Sequence, residues 1–381
     1  MAILPAAPDC ENARFDIHRS MSIRKALTGA SGLLLALAAP LLLLGCGMQP
    51  SSHQTSTAKT PHATSETRTI TDMAGRTVTI PRDIESFGYP YPANTLDFLA
   101  LGVGHKIVLA SESLREDTSL RSLLVQWGYP DAAKATGAFL GDTVHSESVL
   151  KAKPQVVFLS SHNKKGIRQV TELGIPVIGV EFPGSGGGLA ECVDYMTWLG
   201  NVFGGVAIHQ AAIYKSFVDN TLKTLHSGTG DIPSNMRPTA LFMDYWAGNF
   251  LGLSNRLYTD AAAAAGGKNV MGGERSGLIN KEQMFVWDPD VIMLQTESGH
   301  DFDGFKYDAA LRHLKAVKNG KVYPFRMGRI NTILLAVYMA TLFHPDRFSK
   351  TYLTDEIVSF HKTMYGVTLS HEAVNSYFTG Y

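Results

Sequence analysis

Tyr89 and Tyr91, in the run Gly88-Tyr-Pro-Tyr-Pro92, directly follow a short apolar segment, and Tyr245 and Trp246 follow another at Thr239–Met243. Aromatic faces with polar tips suit a large, flat, partly apolar ligand. Arg326 and Arg329 come after Lys321-Val-Tyr-Pro324, and paired guanidinium groups suit a carboxylate or the negative charge of a chelated metal. His162 and His300 stand a few residues after apolar runs that end at Leu159 and Leu294. All of these residue types bind, and the patterns that would catalyse are incomplete. Ser185 is flanked by Gly184 and Gly186, yet Pro183 occupies the first glycine position of the hydrolase pattern Gly-x-Ser-x-Gly. The glycine run Gly184–Gly188 lacks the Gly-Lys-Ser/Thr of a phosphate loop, and Gly266-Gly-Lys-Asn269 puts Asn where a magnesium-binding hydroxyl belongs. Thirteen histidines show no four-residue spacing of a helical zinc pair. The expectation is a binding protein, not an enzyme, with no cofactor or metal site of its own.

The elements that must position these residues are legible as alternating patterns. Thr69–Thr71 and Thr77–Ile80 flank the turn Asp72-Met-Ala-Gly75 and predict a small hairpin. Glu85–Tyr89, Ile107–Ala110, Gln155–Leu159 and Pro176–Val180 read as strands, with a helix over Ile167–Leu173 between the last two. Asn94, three residues before Asp97, reads as the cap of a helix carrying Leu96, Phe98, Leu99 and Leu101. Strands alternating with helices predict an α/β fold with mostly parallel, covered sheets. Ligands of such sheets bind outside the carboxyl ends of the strands, where the aromatic and histidine candidates fall.

The pattern occurs twice. Glu147-Ser-Val-Leu-Lys-Ala-Lys-Pro154 and Glu282-Gln-Met-Phe-Val-Trp-Asp-Pro289 each place a glutamate seven residues before a proline and an apolar strand, 135 residues apart. Two related lobes follow, spanning 68–187 and 231–381. Between them, 188–230 carries a helical period: Leu189, Val193, Met196, Leu199 and Phe203, then Gly204-Gly205, then Ala207, Ala211, Tyr214, Val218, Leu222 and Leu225. A helix over 206–226 would be about 31 Å long, enough to tie two lobes together.

Lys plus Arg and Asp plus Glu both number 34, and without residues 1–45 the balance is 30 to 31. Such neutrality argues against a nucleic-acid partner. The apolar run Leu33–Leu44 has twelve residues, whereas a spanning helix needs roughly 20. Behind Arg24-Lys25 and before Gly45-Cys46 it has the layout of a secretory signal over 21–45, with Met21 as its start and 1–20 as an over-extension. Leu43-Leu44-Gly45-Cys46 resembles the lipobox of bacterial lipoproteins, in which the cysteine is acylated and anchors the chain. Residues 46–67, polar and rich in Ser and Thr, read as a flexible tether. Cys10 and Cys46 lie in this leader and anchor, so Cys192 alone remains in the body and has no disulfide partner there.

Taken in order, Thr69–Pro81, Pro92–Gly102, the two Glu-to-Pro repeats, Gly266–Asn269 and Leu334–Pro345 resemble the ABC-transporter substrate-binding lipoproteins of the iron-siderophore, haem and cobalamin group. The resemblance implies two α/β lobes joined by one long helix, with the ligand held between them. It implies a monomer outside the cytoplasm whose partners are an ABC permease and its ATPase. It also implies that Glu147 and Glu282 dock onto permease arginines, and that the ligand is a metal chelate, iron-siderophore first. Thr95 departs from the pattern, because many members carry Glu there.

Overall fold

The computed structural model describes residues 66–181, 187–246, 249–272, 276–295, 305, 308–325, 331–375 and 377–378. Cys46 and the whole leader and tether up to residue 65 lie outside the described residues. The chain enters through the expected hairpin, β1 (Thr67–Thr71) antiparallel to β2 (Thr77–Pro81).

Five parallel strands and one antiparallel edge strand make the first sheet: β3 (Phe87–Gly88), β4 (Ile107–Ser111), β5 (Thr136–Leu140), β6 (Thr143–Val144), β7 (Val156–Ser160) and β8 (Val177–Val180). Their order across the sheet is β6-β5-β4-β3-β7-β8. From β3 the chain builds outward through β4 and β5, then crosses to β7 on the other side of β3. That reversal creates a switch point where a crevice opens at the strand carboxyl ends. The hairpin closes the far edge, since Met73 donates to the Gly179 carbonyl (3.1 Å) and Gly179 N donates to Asp72 Oδ2 (2.9 Å).

The second sheet holds β9 (Thr239–Trp246), β10 (Asn249–Gly252), β11 (Lys268–Asn269), β12 (Gly277–Ile279), β13 (Val291–Gln295) and β14 (Val322–Phe325). Strands β9, β13 and β14 are parallel neighbours, and β11 runs parallel to the start of β9. One side is antiparallel through two strands, β10 and then β12, where the first sheet has only β6. Only two residues separate β9 from β10, and a parallel pair would need a crossover of about a dozen.

The repeat seen in the sequence is a repeat of structure. Helices Ser146–Ala152 and Lys281–Trp287, and after them β7 and β13, start 135 residues apart. Each helix ends on a left-handed residue before proline, Lys153 (φ 48°) and Asp288 (φ 35°). Among the described residues these are the two non-glycine positions with positive φ. A conformation costing of order 1–3 kcal/mol, present at equivalent places in both lobes, marks a shared helix-to-strand device.

Two helices link the sheets, Leu189–Phe203 and Val206–Thr229. Gly204 and Gly205 make the turn between them with φ of 75° and 52°. Gly200 lets the pair close, since a Cβ there would meet the Ala207 carbonyl oxygen at 2.8 Å. The longer helix places Ala207, Ala211, Tyr214 and Val218 in the core of the first lobe and Leu225 in that of the second. At 1.5 Å per residue its 24 residues reach about 36 Å. A third tie, the helix Thr332–Phe343, gives Ile333 and Leu334 to the first core and Leu335 to Ala340 to the second.

Two expectations need correction. The span 231–381 is not one packing unit, because Ile357, Phe360, Met364 and Tyr365 of the helix Lys350–Tyr365 return to the first core. Chain order alone places this segment in the second lobe, and chain order does not fix which core a helix packs on. Asn94 holds the cap position of the helix Thr95–Ala100 but makes no side-chain cap hydrogen bond: it sits in αR geometry at the end of the 3-10 turn Pro92–Asn94, and its side chain donates to Asp97 Oδ2 (2.8 Å) inside the core.

Candidate functional site

Four strands of the first sheet end in polar residues that form two hydrogen-bonded groups, Tyr91–Asp142–Asn163 and Ser161–Glu181. Tyr91, after β3, donates its hydroxyl to Asp142 Oδ1 (2.8 Å), which follows β5. Asn163, after β7, donates to the Asp142 carbonyl oxygen (2.8 Å) and caps the helix Lys164–Glu172 by accepting from Gly166 N (2.8 Å). Ser161 donates to Glu181 Oε1 (2.9 Å), the residue that follows β8, and His162 Nε2 lies 3.9 Å from the same oxygen. His162 is 81% exposed and Glu181 53%, so both side chains meet solvent. The rim therefore presents a phenol, an imidazole and two carboxylates, from Asp142 and Glu181. Such groups attract neutral or cationic polar surface and oppose a bare anion.

Of the residues expected here, Tyr91 and His162 belong to this rim and Tyr89 does not. Tyr89 N still pairs with the Leu109 carbonyl (3.2 Å), which prolongs β3 by one residue. Alternation along a strand then puts Phe87 and Tyr89 on one face. That face is core: the Tyr89 ring has no exposed surface and packs against Phe98 at 4.9 Å between centroids. Its hydroxyl bonds Thr95 Oγ1 (2.6 Å), and burial raises its pKa far above the usual phenol range. Thr95 is itself wholly buried, and its hydroxyl donates to the Pro92 carbonyl (2.6 Å). Asp142, Ser161, Asn163 and Glu181 were not singled out by sequence, although Glu181 follows the strand to Val180 as directly as His162 follows its own.

In the second lobe, Tyr245 lies near the carboxyl end of β9, half-buried, with its ring stacked on Phe250 at 5.0 Å. Trp246 closes β9, and its side chain lies outside the described residues, as do His300, Arg326 and Arg329. Gln295 ends β13, and Tyr258 donates its hydroxyl to Gln295 Oε1 (3.4 Å).

Glu147 and Glu282 occupy the first turns of the two equivalent helices, where a carboxylate favours the helix dipole. Buried Val149 and Met284, each two residues after its glutamate, pin the helices to their lobes, and both glutamates are exposed. Among the described residues neither is paired with a basic side chain.

Comparison with known proteins bears on this geometry. The family profile described as periplasmic binding protein matches residues 89–326. No match is found among curated protein sequences. Solved structures share the fold at low identity. A periplasmic solute binding protein from Veillonella parvula superposes with a TM-score of 0.68 at 22% identity, over 82% of this chain and 97% of that one. A molybdate-binding protein from Haemophilus influenzae gives 0.64 at 20%, over 80% and 99%. The protein CeuE of Helicobacter pylori, solved as a nickel–histidine complex, gives 0.63 at 16%, over 82% and 99%.

Proposed function

We propose, from the premise that this chain belongs to the periplasmic binding protein family, that it captures a metal chelate between its lobes and delivers it to an ABC permease. Family membership makes the chain an extracytoplasmic solute carrier working with a permease and its ATPase. The finer reading is a carrier without catalytic function, anchored through acylated Cys46, with an iron-siderophore as the first candidate and haem or cobalamin behind it. One observation carries the ligand class: the rim of the first lobe sets Tyr91 and His162 beside the carboxylates of Asp142 and Glu181. A free oxyanion would meet two like charges there, whereas an organic chelate offers donors, apolar faces and a shielded metal. Arg326 and Arg329, which follow β14 in the sequence, complement the acidic parts of such a ligand, and Trp246, at the end of β9, its apolar faces. Glu147 and Glu282, one per lobe, are read as the docking charges that the permease senses.

The test is titration of the purified protein with ferric siderophores, haem, cobalamin, nickel–histidine and molybdate, followed by intrinsic Tyr and Trp fluorescence. A chelate should saturate the signal, and Tyr91→Ala should weaken it by about tenfold, near 1.4 kcal/mol. Saturation by molybdate alone would overturn the ligand class.

A further inference from the structure

The two equivalent helices carry more than a glutamate each. Leu150 stands three residues after Glu147, and Phe285 and Val286 stand three and four after Glu282. Those spacings put each apolar side chain on the same helix face as its glutamate. Leu150 and Phe285 are exposed, and Val286 is 78% exposed. Leu140 ends β5, just upstream of the first helix, and Leu278, 73% exposed, lies in β12, which leads directly into the second. Nine large apolar side chains are exposed among the described residues, and five fall within 140–150 and 278–286. Single exposed apolar residues need no explanation, but concentration at two repeat-related segments does.

Resting on the docking reading above, we propose that these side chains are the apolar anchors of the permease interface. Leu278, Phe285 and Val286 form the stronger anchor, and Leu140 and Leu150 the weaker one. The occupant is a protein surface that is basic and apolar together, as the outer face of the permease must be to receive Glu147 and Glu282. A membrane surface fits worse, because anionic headgroups would meet an unpaired glutamate at each patch. Labour is divided: the glutamates steer encounter and set its salt dependence, while the apolar side chains exclude water and slow dissociation. Because the second lobe's patch is larger, the two lobes are held unequally even by a symmetric permease.

The experiment measures association and dissociation on the cognate permease–ATPase complex in proteoliposomes, with permease-free vesicles alongside. Three full-length variants are compared: Leu278→Ser/Phe285→Ser/Val286→Ser, Leu140→Ser/Leu150→Ser, and Glu147→Lys/Glu282→Lys. The triple variant should dissociate about tenfold faster with its association rate and salt dependence nearly kept, and the double variant should change less. Charge reversal should slow association instead. If the triple variant dissociates as wild type while charge reversal abolishes docking, the anchors are refuted and the docking reading stands. Normal docking by all three would remove both, and a loss seen equally on permease-free vesicles would make the patch a lipid contact. Val286→Ser alone, at a side chain mostly in solvent, decides the point should the triple variant misfold, and dissociation at the wild-type rate would refute the anchor.

Discussion

The Asp72 carboxylate accepts from the backbone of Ala74 (3.0 Å), Arg76 (2.8 Å) and Gly179 (2.9 Å), and from the Arg76 guanidinium through Nε (2.9 Å) and Nη2 (2.6 Å). One side chain thus shapes the hairpin turn and joins the hairpin to β8, covering an edge that would otherwise be open to pairing. Burial pushes the Asp72 carboxyl up, but the hydrogen bonds from Arg76 and Gly179 outweigh it and hold the group below its ordinary value. A depressed folded value favours the folded state above the unfolded pKa, about 3.9, and that contribution is lost as pH falls through the folded value. Asp72→Asn should therefore cost about 2–3 kcal/mol at neutral pH. In acid the gap from wild type should narrow. Urea unfolding from neutral pH down to about pH 3 measures it, and a pH-independent gap would assign the loss to packing instead.

At the scale of elements, the helix Lys350–Tyr365 carries a titrating group into the first lobe. His361 is 3% exposed, set among Trp127, Phe360, Tyr365 and Tyr377, with Nδ1 2.8 Å from the Ile357 carbonyl. Burial pushes its pKa down to about 4. The unfolded chain takes up the proton near pH 6.5, so stability is full above that value and declines by about 1.4 kcal/mol per unit as pH falls toward 4. Wild type should lose about 2 kcal/mol between pH 7.5 and pH 5 from this group, and His361→Phe should remove most of that loss. Equal losses in both would show that the proton goes elsewhere.

For the whole molecule, the described residues from Glu66 onward form two lobes whose cores share helices. Three helices cross between the cores: the long linker, Thr332–Phe343 and, by its return, Lys350–Tyr365. The lobes therefore have a common spine, and the proposed anchor at Cys46 lies outside it in the sequence. Cys46→Ser should move the protein into the soluble fraction with unchanged ligand affinity and melting temperature. A signal-cleaved mutant that still sediments with membranes would refute the anchor.

The sequence by itself determined the α/β alternation, the linking helix, the 135-residue repeat and the equivalence of Glu147 with Glu282. These are matters of local period and chain punctuation, and each is written in contiguous residues. Which residues of a strand share a face is also local, but whether that face meets core or solvent is not. Tyr89 and Tyr91 share the same motif, and only the packing of Phe87, Phe98, Phe158 and Phe203 decides that Tyr89 is core. Likewise Asp142, Asn163 and Glu181 lie far apart in sequence, on loops that come near one another only when five parallel strands align their carboxyl ends. The helix Lys350–Tyr365 shows the same limit: chain order puts it after the second lobe, while the first core receives Ile357, Phe360, Met364 and Tyr365 through long-range packing.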